Sequence, residues 1–351
     1  MGKVMSINVR AAIFVLGSLL CTSYGFGQQG AVTPPGPGGR ISLDIVVTPR
    51  SGPPVAGLQQ QDFTVLDNKG ERPITSFQAA GGPGAPVEVV LLIDTVNATY
   101  SNVAYEREQI EKFLKTDGGH LAHPTTLAVL TDTGTEIQKG FSADGNLLSA
   151  DLDKYTVGLR DIRRSSGFYG AEDRVDLSLK ALRMLASQEA TLPGRKIVLW
   201  ISPGWPLLSG PRMELSFKQE QQLFGEITAI STQLRQAGVT LYSIDPLGSA
   251  EGTMRVSYYR SFLKGVTKPG QVELGDLGLQ VLATQSGGLA LASNNDIAAM
   301  LRECMADAQA YYTISFDASP AEHPNEYHEL EIKVGKPGLI ARTRTGYYAQ
   351  P

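Results

Sequence analysis

Residues 87–94 read VEVVLLID, an almost unbroken apolar run of strand length that closes on an aspartate. A half-buried strand alternates apolar and polar residues, whereas a run without alternation belongs to a strand covered on both faces, as in a parallel sheet between helices. The same character returns at 126–131 (TLAVLT), 196–202 (KIVLWIS), 239–245 (VTLYSID) and 289–293 (LALAS). Between these runs, residues 103–114, 173–188, 214–237, 277–284 and 295–309 carry apolar residues at helical spacing, punctuated by LPGR before 196 and by Gly238. Residues 135–141 (TEIQKGF) add a short edge strand, expected to be antiparallel. Alternation of buried strands and amphipathic helices predicts an α/β domain over residues 84–309, with a mostly parallel six-stranded sheet.

Outward from this core the pattern changes. Residues 41–49 (ISLDIVVTP), 62–67 (DFTVLD) and 73–80 (PITSFQAA) are β-branched strands separated by the turn-forming SGPPVAG and DNKGE. Beyond residue 310, AYYTISF, YHELEIKV and LIARTRTGYY are again strand-like, with no helix among them. Segments 41–83 and 310–349 are each too small to bury a face alone, so they are expected to pair into one small antiparallel β domain built from both termini. Two separate β appendages are the alternative.

The first 27 residues have the form of a secretory signal, with Lys3 and Arg10 ahead of an apolar run at 11–21 and small residues at Gly25 and Gly27. An uncleaved anchor is the other reading; Leu19 and Leu20 disfavour a lipoprotein at Cys21. Residues 28–40 form a Pro/Gly linker. Cleavage leaves Cys304 as the one cysteine, so no internal disulfide is expected. No later stretch has the length and apolarity of a membrane span. Net charge is −4 with no block of like charges, which supplies no footprint for nucleic acid. The chain is therefore expected to be exported, periplasmic or extracellular.

Several motifs arrive in a recognisable order. VEVVLLIDTVNATY (87–100), GRKIVLWISPGW (194–205), VTLYSIDPLG (239–248), the run from SGGLALAS to TISFD, the closing ARTRTGYYA and the early PVAGLQQQDFTVLDNKGERPITSFQ together resemble exported von Willebrand factor type A (vWA) domain proteins of the kind abundant in acidobacteria. The resemblance runs over residues 41–349 and implies a Rossmann-like vWA fold. It also implies a place for Mg²⁺, held in the family by an Asp-x-Ser-x-Ser loop, a Thr from a second loop and an Asp from a third.

Here that ligand set is dismantled. Asp94 keeps the first position, but Val96 and Ala98 stand where the serines belong. Ser202 and Gly204 survive around Pro203, which replaces the third-loop Asp. FYGAEDRVDL (168–177) offers Ala171 or Asp173 near the second-loop Thr. The expectation is a degenerate site without a cofactor, Mg²⁺ being retained only if Asn97 and Thr99 re-register or if Asp132 and Asp245 contribute carboxylates. The plainer reading is that Asp94 and Asp245 accept hydrogen bonds from backbone amides.

Ligands of open α/β sheets bind beyond the carboxyl ends of the strands. That edge holds Asp94, Asn97, Phe168, Tyr169, Ser202 and Trp205, the binding-face residues predicted here; Trp205 is read either as an aromatic anchor or as a cap on the core. His120 and His123, and His323 and His328, lack accompanying metal ligands and are expected to be solvated loop residues. Asn97-Ala98-Thr99 matches a glycosylation sequon, and Cys304 fits a small buried apolar residue. With no nucleophile elbow or phosphate loop, the expected function is a non-enzymatic interaction or adhesion module for a protein or cell-envelope surface ligand. Metal-dependent adhesion at Asp94 is the alternative, and a secreted hydrolase using His120 or His328 a further one.

Overall fold

The computed structural model describes residues 39–82, 84–154, 168–205, 215–246, 258–292 and 295–351, with the side chains of residues 100, 101, 168 and 169 outside the description. The expected signal segment and nearly all of the expected linker lie outside the described residues. Residues 35–351 form one unit.

The elements run β1 (Arg40–Pro49), β2 (Phe63–Asp67), β3 (Gly70–Arg72), β4 (Ile74–Ala80), β5 (Val87–Asp94), α1 (Tyr100–Leu114), β6 (His120–Thr131), β7 (Gly134–Ile137), β8 (Ser142–Asp144) and α2 (Gly145–Lys154). They continue with α3 (Phe168–Glu189), β9 (Arg195–Ile201), α4 (Phe217–Gln236), β10 (Val239–Ile244), α5 (Leu279–Gln285), β11 (Ala290–Leu291), α6 (Ile297–Ala306), β12 (Tyr311–Asp317), β13 (Glu326–Val334), β14 (Leu339–Arg342) and β15 (Gly346–Ala349).

The central sheet has the order β11-β10-β9-β5-β6-β7, with β8 also on β6. Strands β11, β10, β9, β5 and β6 are mutually parallel, and β7 and β8 are antiparallel to β6. The chain is thus a mixed α/β protein with a largely parallel sheet. The sheet has seven strands rather than the expected six, because β8 returns along the amino end of β6. The last parallel strand is only two residues long: Gly287 and Gly288 precede it, and Asp296 caps α6 by accepting from Ala299 N at 2.9 Å.

Each face of β5 feeds a different core, as period-two alternation requires. Val90 and Leu92 pack with Leu182, Leu185, Trp200, Ile227 and Leu282 from the α3, α4 and α5 side. Val89, Leu91 and Ile93 pack with Ile110, Leu114, Ile297 and Leu301 from α1 and α6. Each such buried side chain contributes on the order of 1.5–3 kcal/mol, which explains why these strands carry no alternation.

Two four-stranded sheets complete the protein, in the orders β14-β1-β12-β4 and β15-β13-β2-β3. Both combine strands from before and after the central sheet: β1 lies between β12 and β14, and β2 pairs with β13. Ile41, Leu43, Ile45 and Val47 of β1 meet Phe63, Val65, Leu330 and Tyr347 in a shared apolar layer. The outer face of β1, carrying Ser42 and Asp44, is left for other contacts.

Candidate functional site

The parallel register of β5 and β9 sets Leu92 beside Trp200 and Ile93 beside Ile201, so Asp94 ends its strand next to Ser202. Residues two apart share a face, and Trp200 and Ser202 both reach the Asp94 carboxylate. Asp94 is fully buried. Its Oδ1 accepts from the backbone N–H of Val96 at 2.9 Å and of Asn97 at 3.0 Å. Its Oδ2 accepts from Asn97 Nδ2 at 2.8 Å, from Trp200 Nε1 at 3.1 Å and from Ser202 Oγ at 2.8 Å. Five donors fill the lone-pair directions of one carboxylate.

The donors are themselves held. Asn97 Nδ2 also donates to Ser178 Oγ on α3 at 2.9 Å, and Ser178 donates to Arg174 O. Ser202 Oγ accepts from Gly204 N at 2.9 Å. A cation at Asp94 would face the positive ends of five N–H and O–H groups and would have to displace them to reach the oxygens. Mg²⁺ requires near-octahedral oxygen coordination. These residues do not fit it: every hydrogen bond that the described residues make to the Asp94 carboxylate presents a donor, not a further oxygen ligand. Among the described residues, no group of three or more His, Cys, Asp or Glu side chains is placed to hold a metal.

A second acid lies under the same corner. Glu106 of α1 is fully buried, and neither carboxylate oxygen has a hydrogen-bond partner among the described residues. Burial, reinforced by the charges of Asp94 and Asp245, raises its pKa well above the usual carboxylate range. The sequence reading passed over it, although Val103, Glu106 and Ile110 follow the i, i+3, i+7 spacing of the buried stripe.

The predicted site residues divide on inspection. Asp94, Asn97 and Ser202 come together. Trp205 is 4% exposed, its Nε1 donates to Leu277 O at 3.0 Å, and its ring meets Trp200 edge-on at 5.5 Å. As an exposed aromatic anchor it is corrected: it caps the core, because the chain after Ser202 turns back over the α5 side. Phe168 and Tyr169 begin α3, but their side chains lie outside the described residues. Val96, at the first missing serine, is buried; Asp173 is exposed on α3, and the α3 residue that reaches the site is Ser178. Asp245 is buried at the end of the neighbouring β10. The Asn97 amide of the sequon is committed to Asp94 and Ser178, so a glycan on Nδ2 would break the network.

The histidine expectation holds for His323, exposed in a loop, and His120 is exposed at the start of β6; for the other two it is corrected. His123 lies inside β6 at 1% exposure, with its pKa lowered by burial and by Arg195. His328 is buried in β13, where Nδ1 lies 2.7 Å from Asp67 Oδ1. Asp67 Oδ2 accepts from Tyr347 OH and Ser319 Oγ, each at 3.0 Å. This polar core ties β2, β13 and β15 together. His328 Nε2 has no hydrogen-bond partner among the described residues, and Ser319 donates to the carboxylate rather than to the ring. Among the described residues, no serine hydroxyl is hydrogen-bonded to the ring of this Asp–His pair. Cys304 is buried in α6, which pushes its thiol pKa up.

At the upper edge of the sheet, the described residues after Asp94 form a turn hydrogen-bonded to its carboxylate. The exposed rim of this edge includes Thr99 before α1, Thr133 in the β6–β7 turn and Asn295 before α6. No helix among the described residues is long and apolar enough to cross a membrane.

No family model matches the chain, and no curated protein matches it in sequence. Among solved structures it is similar to proximal thread matrix protein 1 from the mussel byssus, at 10% identity and TM-score 0.37, over 69% of this chain and 51% of that one. It is similar to the pilus adhesin SpaC from Lactobacillus rhamnosus GG at 9% identity and TM-score 0.36, over 84% of this chain and 49% of that one. A manganese-loaded Plasmodium vivax TRAP protein matches at 10% identity and TM-score 0.34, over 78% of this chain and 98% of that one. The chain spans about half the length of the mussel and pilus proteins.

Proposed function

We propose that this chain is an exported, non-enzymatic interaction or adhesion module of vWA-like architecture that engages a protein or envelope ligand through the upper edge of its parallel sheet without a metal ion. The observation that carries this reading is the saturation of Asp94 by Val96, Asn97, Trp200 and Ser202. Where the resembled family keeps a coordination position for a ligand's carboxylate, this chain has a locked turn. Recognition then falls to the shape and hydrogen-bonding groups of the surrounding loops, where ligands of open α/β sheets settle.

The test is capture of envelope components by the full exported chain, in EDTA and in Mg²⁺, with Thr133→Arg and Asn295→Arg as variants that place bulky charge on the rim. Equal capture in both buffers, lost in either variant, is the expected result. Capture that needs Mg²⁺ would favour metal-dependent adhesion, and capture unchanged in both variants would remove the upper edge from the proposal.

A further inference from the structure

The opposite, amino-terminal edge of the parallel sheet carries an unused concentration of positive charge. A cleft of about 430 Å³ opens there between the outer face of β1, β4 and β12 and the starts of β9 and β10. Its charged lining is Arg195, Lys196 and Arg235 against a single carboxylate, Asp44. Gly194 makes this corner possible: its φ is +84°, and a Cβ there would stand 2.5 Å from Pro86 O.

Arg195 is 4% exposed and fixed on three sides. Nη1 donates to Asp307 O at 3.0 Å, Nη2 to Tyr242 OH at 3.3 Å, and the guanidinium lies 4.7 Å from the centre of the Tyr311 ring. Its Nε is buried without a hydrogen bond, 3.9 Å from Asp44 Oδ2. Asp44 is itself shared, accepting from Thr313 Oγ1 at 2.8 Å. Arg235, in the last turn of α4, forms no hydrogen bond or ion pair with any described residue, and its Nε is buried. Behind it, Arg344 has one hydrogen bond, to Val239 O, and no ion pair among the described residues. Burial and repulsion from Arg235 push the pKa of Arg344 down to about 9. Glu189 and Glu88 act on Lys196 from outside the lining, so the surplus charge lies on the side of the two arginines.

Buried guanidinium N–H groups without acceptors are costly, and planar forks of this kind are suited to oxyanions. We propose that this cleft binds a small multivalent oxyanion of the phosphate or dicarboxylate class between Arg195 and Arg235. The anion accepts from the Nε–H groups of Arg195 and Arg235, neither of which donates a hydrogen bond to a described residue, and offsets the repulsion between Arg235 and Arg344. The site lies on the far edge from Asp94 and does not depend on the proposed upper binding face.

The experiment is calorimetric titration of the full chain with inorganic phosphate and with succinate at fixed ionic strength, chloride serving as the control, on native protein, Arg235→Gln and Arg235→Lys. Saturable binding of phosphate or succinate is expected, weakened at least tenfold in Arg235→Gln and several-fold in Arg235→Lys, which keeps the charge but loses the fork. The preferred anion identifies the ligand class. Arg235→Gln removes a repulsion, so its melting temperature without ligand should equal or exceed that of native protein. If Arg235→Gln fails to fold, Arg235→Lys alone decides. No saturable heat with either oxyanion, or equal affinity in the folded variants, overturns the proposal.

Discussion

Replacing Asp94 with asparagine separates a structural carboxylate from a metal ligand. The amide keeps the shape of the carboxylate but exchanges one acceptor oxygen for an NH₂ group. On the Oδ2 side that NH₂ would face three donors, Asn97 Nδ2, Trp200 Nε1 and Ser202 Oγ. Turned the other way, it would face the two backbone N–H groups of the turn. Ser202 can rotate, and the half-buried Asn97 amide can find water. Trp200 is fully buried and Val96 nearly so, and their N–H groups have no substitute acceptor. At roughly 1–3 kcal/mol for each stranded buried donor, less the relief of no longer burying a charge, the expected loss is about 3 kcal/mol. That corresponds to roughly 6–12 °C in melting temperature for a domain of this size. Denaturant unfolding of the full chain in EDTA reads the effect directly. Asp94→Asn should be nearly as damaging as Asp94→Ala. If both variants unfold within about 0.5 kcal/mol of native protein, the carboxylate is not the structural hub described here.

Two further outcomes follow from the same corner of the fold. The raised pKa of Glu106 means that the folded chain holds a proton the unfolded chain releases above about pH 4.3. Its stabilising contribution is therefore complete below that pH and is lost as pH rises towards the folded pKa, at about 1.4 kcal/mol per pH unit in that window. Glu106→Gln, which mimics the protonated acid, should flatten this slope in unfolding measured from pH 5 upward; an unchanged slope assigns it to another group. Trp205→Ala should cost about 3–5 kcal/mol and reduce the tryptophan near-ultraviolet circular dichroism, since the ring is packed against Trp200. A variant as stable as native protein would mean that Trp205 is exposed after all.

Much of the α/β core was legible because buried parallel strands leave a strong trace: VEVVLLID ends at Asp94 both as read and as folded. The hairpin β2–β3 was hidden in DNKGE, where Asn68 and Lys69 both take positive φ, a conformation that lysine rarely signals. Helix α2 was missed because it opens on Gly145, which reads as a turn. At the site, the missing serines were visible in Val96 and Ala98. The backbone amides that Asp94 accepts from were expected and are found at Val96 and Asn97, whereas Trp200 and Ser202 were not legible, because their reach to Asp94 depends on the register of β9 against β5, which local sequence does not encode. The histidines misled for a related reason: His123 and His328 lie on strand faces whose burial is decided by distant segments, and the partner of His328 is 261 residues away.

The central claim is that protein hydrogen bonds occupy the place where the resembled family binds a metal. Titration calorimetry of the full native chain with Mg²⁺ and Mn²⁺, repeated on Asp94→Ala, tests it most directly. The saturated carboxylate predicts no saturable heat in either protein up to millimolar metal. Saturable binding by native protein that disappears in Asp94→Ala would contradict it.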